Sequence, residues 1–412
     1  MSRTETLCRS CGADTLDVFL SLGDLPLSDG FLTTEQLGEP ERRYPLDVAF
    51  CNRCTLVQIL ETVPPEELFG ADYPYFSSVS DTVVRNAEEN VAARIEELGL
   101  GPGSLAVELA SNDGYLLQFY ARRGIPVLGI DPAPAPVAAA REKGIDTRCA
   151  FFGLEYARLL VAEGVRADVI HANNVLAHVA DTNGFVAGIA LLLKPEGTAV
   201  IEVPYVRELI EHGEFDTIYH EHFSYLSLGT VSRIFEAAGL RVFDVEQLPT
   251  HGGSLRVFGC HADDRRPTTA AVRDVQARER EGGLQELSTF LSFQQRAERI
   301  KLDFLSFLLE QKRAGKRVAA YGAAAKGNTL LNFCGVRPDL LPLVADAAPA
   351  KQGKFMPGSH IPIVAPSQLR AERPDFLVIL PWNIADEVRE QCRDLAEAGT
   401  RFVTAVPCLE VR

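Results

Sequence analysis

Three observations predict an α/β protein of several units. Between Ser104 and about Gln247, short apolar strands alternate with helical stretches, which requires a mostly parallel sheet covered on both faces. Two Cys-x-x-Cys pairs lie near the N-terminus, ahead of that pattern. A second, smaller run of strand, small-residue loop and helix begins at Lys316. At 412 residues the chain exceeds one ordinary core, and the expected units are residues 1–70, 71–260 and 261–412.

Composition narrows the function. With 46% apolar and 24% charged residues the balance is that of an ordinary soluble domain. No apolar run approaches the roughly 18 to 20 residues of a membrane span, and no basic start leads into a short apolar stretch. A cytoplasmic location is therefore the default expectation. A formal charge of −15 argues against general affinity for nucleic acid or anionic membrane and leaves a small molecule as the expected partner. Self-contained units with dispersed polar surface point to a monomer.

The first segment reads as short strands and turns. A helix is expected from Asp81 to Leu98, with Val83, Val84, Ala87, Val91, Ala92, Ile95 and Leu98 at helical spacing and Asp81 as N-cap. SLAVELA, PVLGIDP, ADVIHANNVL and GTAVIEVP are the strands of the middle segment; GYLLQFYARRG and PVAAAREKG are helices between them. The Arg-rich stretch from His261 to Gly283 is the best linker or surface-helix candidate. A long helix to Gly315 and the strands PLVADAAPAKQG and DFLVILPWN complete the third segment.

Cys8 with Cys11, and Cys51 with Cys54, supply four thiols on two tight knuckles. Four soft sulfur ligands suit tetrahedral Zn²⁺ and leave no open position, so the expected role is structural. The long gap between the pairs requires a small subdomain to fold between them. A redox Cys-x-x-Cys is the rival reading, and two pairs in one short segment favour metal.

In the middle segment, the strand LAVELA runs into Glu108, Ala110, Asn112, Asp113 and Gly114, with a helix beginning near Tyr115. Backbone N–H groups at a helix start attract anions, and glycine permits close approach of a ligand. The G-x-G-x-x-G dinucleotide pattern is absent. The next strand ends at Asp131, well placed to accept hydrogen bonds from ribose hydroxyls. A third strand ends at Asn173 and Asn174, the remaining candidates for this nucleotide site. Solvated acidic turns are the alternative for any one of these loops; the combination favours a site.

This arrangement resembles the class I S-adenosylmethionine-dependent methyltransferases, in which the first acidic loop lies beside the methionine part and the second acidic residue holds the ribose. The chain departs from the usual E/D-x-G-x-G pattern, with Ala110 and Asn112 where glycines are common. Adding the cysteine pairs, the run Tyr219-His-Glu-His-Phe-Ser-Tyr225, HGGSLRVF and the C-terminal unit, nearly the whole chain resembles the nucleotide-sugar C-methyltransferases. The resemblance implies a Rossmann-like central domain, a small N-terminal zinc-binding domain and a Rossmann-like C-terminal domain. It also implies S-adenosylmethionine as donor, a dTDP-4-keto-deoxysugar as acceptor (C3 rather than C5), and a place in deoxysugar and antibiotic biosynthesis. Carbon methylation needs a base to form an enolate. By resemblance His222 is that base, with Tyr219 and Glu221 orienting it or supporting the enolate. If the run were extended, His222 would face away from both unless the backbone bends.

Further sugar-nucleotide contacts are expected from Tyr73 and Tyr75, with a packed hinge as the alternative. His251 and Arg256 lie in HGGSLRVF, where Arg256 could meet a phosphate or belong to a plain strand. Lys326, in a small-residue loop, could cradle a diphosphate, and Asn383, beside Trp382, could bind the base or merely cap a strand. Two other functions fit the same donor site: transfer to oxygen or nitrogen, which needs no enolate, and a non-catalytic binding module.

Overall fold

The computed structural model describes residues 2–68 and 76–412. The N-terminal unit holds β1 (Arg3–Thr4), β2 (Leu16–Leu25), β3 (Tyr44–Cys51), β4 (Val57–Ile59) and β5 (Glu61–Thr62), then the short helix α1 (Pro65–Leu68). β2, β3 and β4 form an antiparallel meander. Its fourth strand, Ser224–Tyr225, comes from far along the chain and pairs antiparallel with β4.

The central unit opens with α2 (Asp81–Leu98). Its N-cap is Ser80, one residue before the expected Asp81; the Ser80 hydroxyl accepts from the Val83 amide at 3.4 Å. Then follow β6 (Ala106–Leu109), α3 (Leu117–Arg122), β7 (Val127–Asp131), α4 (Pro134–Glu142), β8 (Thr147–Cys149), α5 (Leu154–Ala162), β9 (Ala167–Asn173) and α6 (Thr182–Leu192). β10 (Leu193–Pro204), α7 (Val206–His212), β11 (Ser224–Tyr225), α8 (Leu228–Ala237), β12 (Leu240–Leu248) and β13 (Ser254–His261) complete it. The sheet order is β12-β13-β10-β9-β6-β7-β8, parallel from β8 through β10, with β13 antiparallel to both neighbours. All four residues of β6 are buried, as a strand covered by helices on both faces requires. Chain order reverses on either side of β6, which opens a crevice at the carboxyl ends of β6, β7 and β9.

The Arg-rich stretch becomes α9 (Ala270–Glu281), a surface helix that packs Val272 and Val275 into the central core. Its Glu279 carboxylate accepts from the Leu228 and Gly229 amides at 2.6 and 2.9 Å, closing the N-terminus of α8. The third unit comprises α10 (Phe293–Arg313), β14 (Val318–Tyr321), α11 (Ala325–Cys334), β15 (Val344–Ala345), β16 (Ile363–Val364), α12 (Pro366–Glu372), β17 (Phe376–Ile379), α13 (Ala385–Gln391), α14 (Arg393–Glu397), β18 (Arg401–Thr404) and β19 (Glu410–Val411). Its sheet order is β16-β15-β14-β17-β18-β19, parallel except for β19. One apolar cluster runs from Phe50, Val57 and Ile59 of the N-terminal sheet through Phe215, Ile218 and Phe223 to Phe304 and Leu330 of the third unit. The outer units therefore share a core across the segment that carries the Tyr-His-Glu-His run.

On β13, a Cβ at Gly259 would overlap the ring of Phe235, which is fully buried on α8. Gly259→Ala is expected to cost about 1–3 kcal/mol of stability by overpacking. A lowered midpoint in urea unfolding would show it.

Candidate active site

Three loops meet in the crevice. The first, after β6, is folded by residues in the left-handed region: Ala110 has φ 54°, Asn112 φ 49° and Gly114 φ 75°. Ala110 and Asn112 thus adopt the conformation that makes glycine usual at these positions, at the steric cost a Cβ brings there. Asn174, just past β9, is left-handed as well, with φ 54°. The Asp131 carboxylate, at the end of β7, accepts from the amides of Asn112 and Ala133, both at 2.8 Å, and locks the first loop against the second. The Asn112 side-chain oxygen accepts from the Ser77 amide at 2.8 Å, and Asp113 binds the Ser78 hydroxyl and, at 2.9 Å, Lys143. Ser77 and Ser78 follow the segment bearing Tyr73 and Tyr75, both of which lie outside the described residues.

The crevice is short of positive charge. Glu108 is buried, and its carboxyl is pushed well above the usual range by burial, with Asp131 and Asp113 adding to the rise and Tyr115 opposing it. Asp131 is raised as well, chiefly by burial. Among the described residues, buried oxygens of Asp113 (Oδ1), Asn173 and Asn174 have no hydrogen-bond partner. Buried acceptors in that number require a donor-rich or cationic ligand. S-adenosylmethionine, with an ammonium, a sulfonium and ribose hydroxyls, has that complement. The residues present fit it.

The Tyr219–Tyr225 run bends. The His222 amide donates to the Tyr219 carbonyl at 3.0 Å, and this turn brings Tyr219 onto His222 rather than to the opposite face. The two rings lie 4.1 Å apart, and the Tyr219 hydroxyl is 3.0 Å from His222 Nε2. His222 Nδ1 faces the Thr217 carbonyl at 3.0 Å. A carbonyl only accepts, so Nδ1 carries the proton of the neutral ring and Nε2 presents a lone pair to the phenol. His178 was not singled out in the sequence. It lies in a single turn four residues beyond Asn174, and its ring stacks edge-on to His222 at 4.6 Å. It links the donor crevice to the run; a lone histidine after a strand gave no pattern by which to find it.

Glu221 does not share this cluster. The turn carries it toward Asp29 and Lys351, and burial, reinforced by Asp29, pushes its carboxyl well above the usual range. The orienting contacts expected of it come instead from Tyr219 and the Thr217 carbonyl. Arg256 is likewise corrected: it sits in β13, buried, paired with Glu246 at 2.9 Å and Glu202 at 3.2 Å. Both charges that a phosphate would supply are already provided by these carboxylates. Lys326 and Asn383 do come together, Nζ donating to the Asn383 side-chain oxygen at 2.7 Å, with the ammonium 4.5 Å from the Trp382 ring centroid. Asp216 and Glu214 surround that ammonium, however, which offsets the charge expected to cradle a diphosphate. His251 lies in the Thr250–Gly252 turn.

The four cysteines converge. Their sulfurs all lie within 4.8 Å of one another, with Cys8–Cys54 at 3.4 Å and Cys11–Cys51 at 3.6 Å. A tetrahedron of sulfurs about 2.3 Å from zinc has edges of about 3.8 Å, so the set fits the ion. Each knuckle closes on a left-handed residue after its second cysteine, Gly12 (φ 69°) and Thr55 (φ 60°).

Two outcomes follow from this geometry. Purified protein should carry about one zinc per chain by elemental analysis, and Cys51→Ser should lower that content along with the protection of β3 and β4 against proteolysis. Burial, opposed by Lys326, pushes Glu214 up to about 8. With the folded value above the unfolded one, stability from the neutral carboxyl is fully present below about pH 4.3 and is lost as pH rises through 8. Glu214→Gln should flatten the fall in melting temperature across that window.

Comparison with known proteins agrees with this layout. Residues 8–69 match a family model described as "Putative zinc binding domain", residues 83–245 a "Methyltransferase domain", and residues 249–407 a "C-methyltransferase C-terminal domain". C-methyltransferase NovU of Streptomyces niveus is 37% identical over 401 residues, covering 97% of this chain and 95% of that protein. The ubiquinone biosynthesis O-methyltransferase of Rhodopseudomonas palustris (strain TIE-1) is 29% identical over 128 residues, 30% of this chain and 48% of its own length. The solved magnesium protoporphyrin IX methyltransferase of Synechocystis PCC 6803 covers 43% of this chain and 79% of its own at 16% identity, with a TM-score of 0.34, too low to bear on function. Full-length similarity to a C-methyltransferase, over an architecture in which zinc knuckles, donor crevice and third unit all have their place, shows that the chain belongs to the S-adenosylmethionine-dependent C-methyltransferase family.

Proposed function

We propose that this enzyme methylates a carbon beside the ketone of a dTDP-linked 4-keto-deoxysugar, C3 rather than C5, through an enolate. The observation that carries the reading is the placing of His222, with Nδ1 3.0 Å from the Thr217 carbonyl and Nε2 3.0 Å from the Tyr219 hydroxyl; in a neutral ring the carbonyl takes the Nδ1 proton and leaves the lone pair on Nε2. S-adenosylmethionine, when bound, supplies an electrophilic methyl group. His222 Nε2 takes the proton from the sugar carbon, and the Thr217 carbonyl stabilises the resulting imidazolium through Nδ1–H. With Nε2 protonated, the Tyr219 hydroxyl donates a hydrogen bond to the enolate oxygen.

The donor would lie along Glu108, Ala110, Asn112, Asp113 and Gly114, with Asp131 at the ribose and Asn173 and Asn174 closing the crevice. Glu108 and Asp113 would meet the cationic end, which favours the charged form of the buried Glu108 carboxyl. The acceptor would enter between the central and third units, with the residues around Lys326, Asn383 and Glu221 lining its approach. A deoxysugar pathway of the kind that serves antibiotic assembly would supply such a substrate.

Incubation with S-adenosylmethionine and dTDP-4-keto-6-deoxyglucose in deuterated water tests this. The expected product is one methyl heavier, a substrate deuterated at C3 loses that label in forming it, and substrate recovered from deuterated water carries deuterium at C3. His222→Asn should lower both methylation and exchange by about 10²- to 10⁴-fold while donor binding by calorimetry is unchanged. Methylation with the C3 deuterium retained would instead point to transfer onto oxygen or nitrogen.

A further inference from the structure

We propose that His220 is a positioning residue, through which the metal-bearing N-terminal sheet sets the place of the His222 imidazole. Cys51 ends β3, Cys54 closes the turn, and the chain enters β4 three residues later. β4 pairs with β11, Gln58 opposite Ser224 and Val57 opposite Tyr225, and the Ile59 amide donates to the Phe223 carbonyl at 3.2 Å. The ladder thus reaches from the cysteines to the residue next to His222. Gln58, fully buried, ties β4 back to the first knuckle by accepting from the Arg9 amide at 2.9 Å. The Arg9 guanidinium lies 4.9 Å from the Phe223 ring centroid.

His220 completes the attachment on the other side of His222. Its Nε2 donates to the carbonyls of Tyr44 and Pro45, both at 3.2 Å, in β3. Among the described residues its buried Nδ1 has no hydrogen-bond partner, and burial lowers the ring's pKa, opposed by the two carbonyls. The turn that carries His222 is therefore fixed to the N-terminal sheet at two points, His220 before it and Phe223–Ser224 after it. Displacement of a base by about 1 Å can cost on the order of 10²-fold in rate. The zinc knuckles, by fixing the β3–β4 hairpin, fix the base.

This inference rests on His222 as base, and the test separates the two. A glutamine amide nitrogen can take the position of Nε2, whereas an asparagine nitrogen reaches only the position of Nδ1. His220→Asn is expected to lower kcat about 10²-fold with donor affinity and zinc content unchanged and the melting temperature only modestly reduced, and His220→Gln to restore most of the lost rate. Native kcat in the folded Asn variant, or a loss that Gln does not restore, would overturn the positioning role. His222→Asn run alongside reports on the base alone: its turnover would remove that assignment and leave the His220 comparison standing. Should the Asn variant fail to fold, amide hydrogen exchange on the wild-type chain replaces it. Chelation of zinc is then expected to speed exchange at Ile59 and His222 while Asn112, bonded to Asp131, keeps its protection. Unchanged protection at His222 after metal removal would overturn the proposal.

Discussion

The segment from Phe215 to Tyr225 is bonded to all three units at once, and the rest of the structure depends on that. Ser224 and Tyr225 extend the N-terminal sheet. The Phe223 amide donates to the Ala177 carbonyl of the central unit at 2.8 Å. From the third unit, the Thr329 hydroxyl donates to the Ile218 carbonyl at 3.0 Å and the Trp382 indole to Asp216 at 2.8 Å. Eleven consecutive residues with this many non-local partners cannot hold their shape unless all three units are folded. Phe215, Ile218, Phe223 and Tyr225 also supply the apolar contacts that merge the outer units into one core. Catalytic geometry and cooperative folding are properties of the same residues.

The donor crevice is built on a different constraint. Three non-glycine residues, Ala110, Asn112 and Asn174, are held left-handed at its rim. Conformations of that kind persist where neighbours over-determine them. Here the neighbours are visible: Asp131 accepts from the Asn112 amide, and the Asn174 amide donates to the Glu202 carbonyl at 2.7 Å. Asp131 and Asp113 add to the rise that burial imposes on the Glu108 carboxyl, and a cationic ligand beside them favours its charged form.

Below the crevice, polar side chains are committed to structure. Arg256 pairs with Glu202 and Glu246, and the Tyr120 hydroxyl meets His171 Nε2 at 2.8 Å. Burial, with Arg256 and Arg94 nearby, pushes His171 down to about 3, so it stays neutral. An arginine in a strand after two glycines reads in sequence as a phosphate ligand because its partners are strands away; only pairing of β10, β12 and β13 shows that its charge is spent. Lys326 misled for the same reason. Its loop and helix were legible, but the two carboxyls beside it come from Glu214 and Asp216 in another unit.

What the sequence determined by itself was local and periodic. Strand–helix alternation specified a doubly wound sheet because parallel strands need apolar residues on both faces and a covering helix between them. The Cys-x-x-Cys spacing specified a metal site because two knuckles of that size can present four sulfurs to one point. Acidic residues at the ends of β6 and β7 marked the donor crevice because strand ends and loops are adjacent in sequence. The tertiary structure decided what depends on residues far apart in the chain. It joined Ser224–Tyr225 to a sheet begun at Leu16, turned Tyr219 onto His222 and Glu221 away from it, and brought His178 to His222. A turn of four residues can adopt several shapes at similar cost, and here the carbonyls of β3, the edge of β4 and the face of α11 select one.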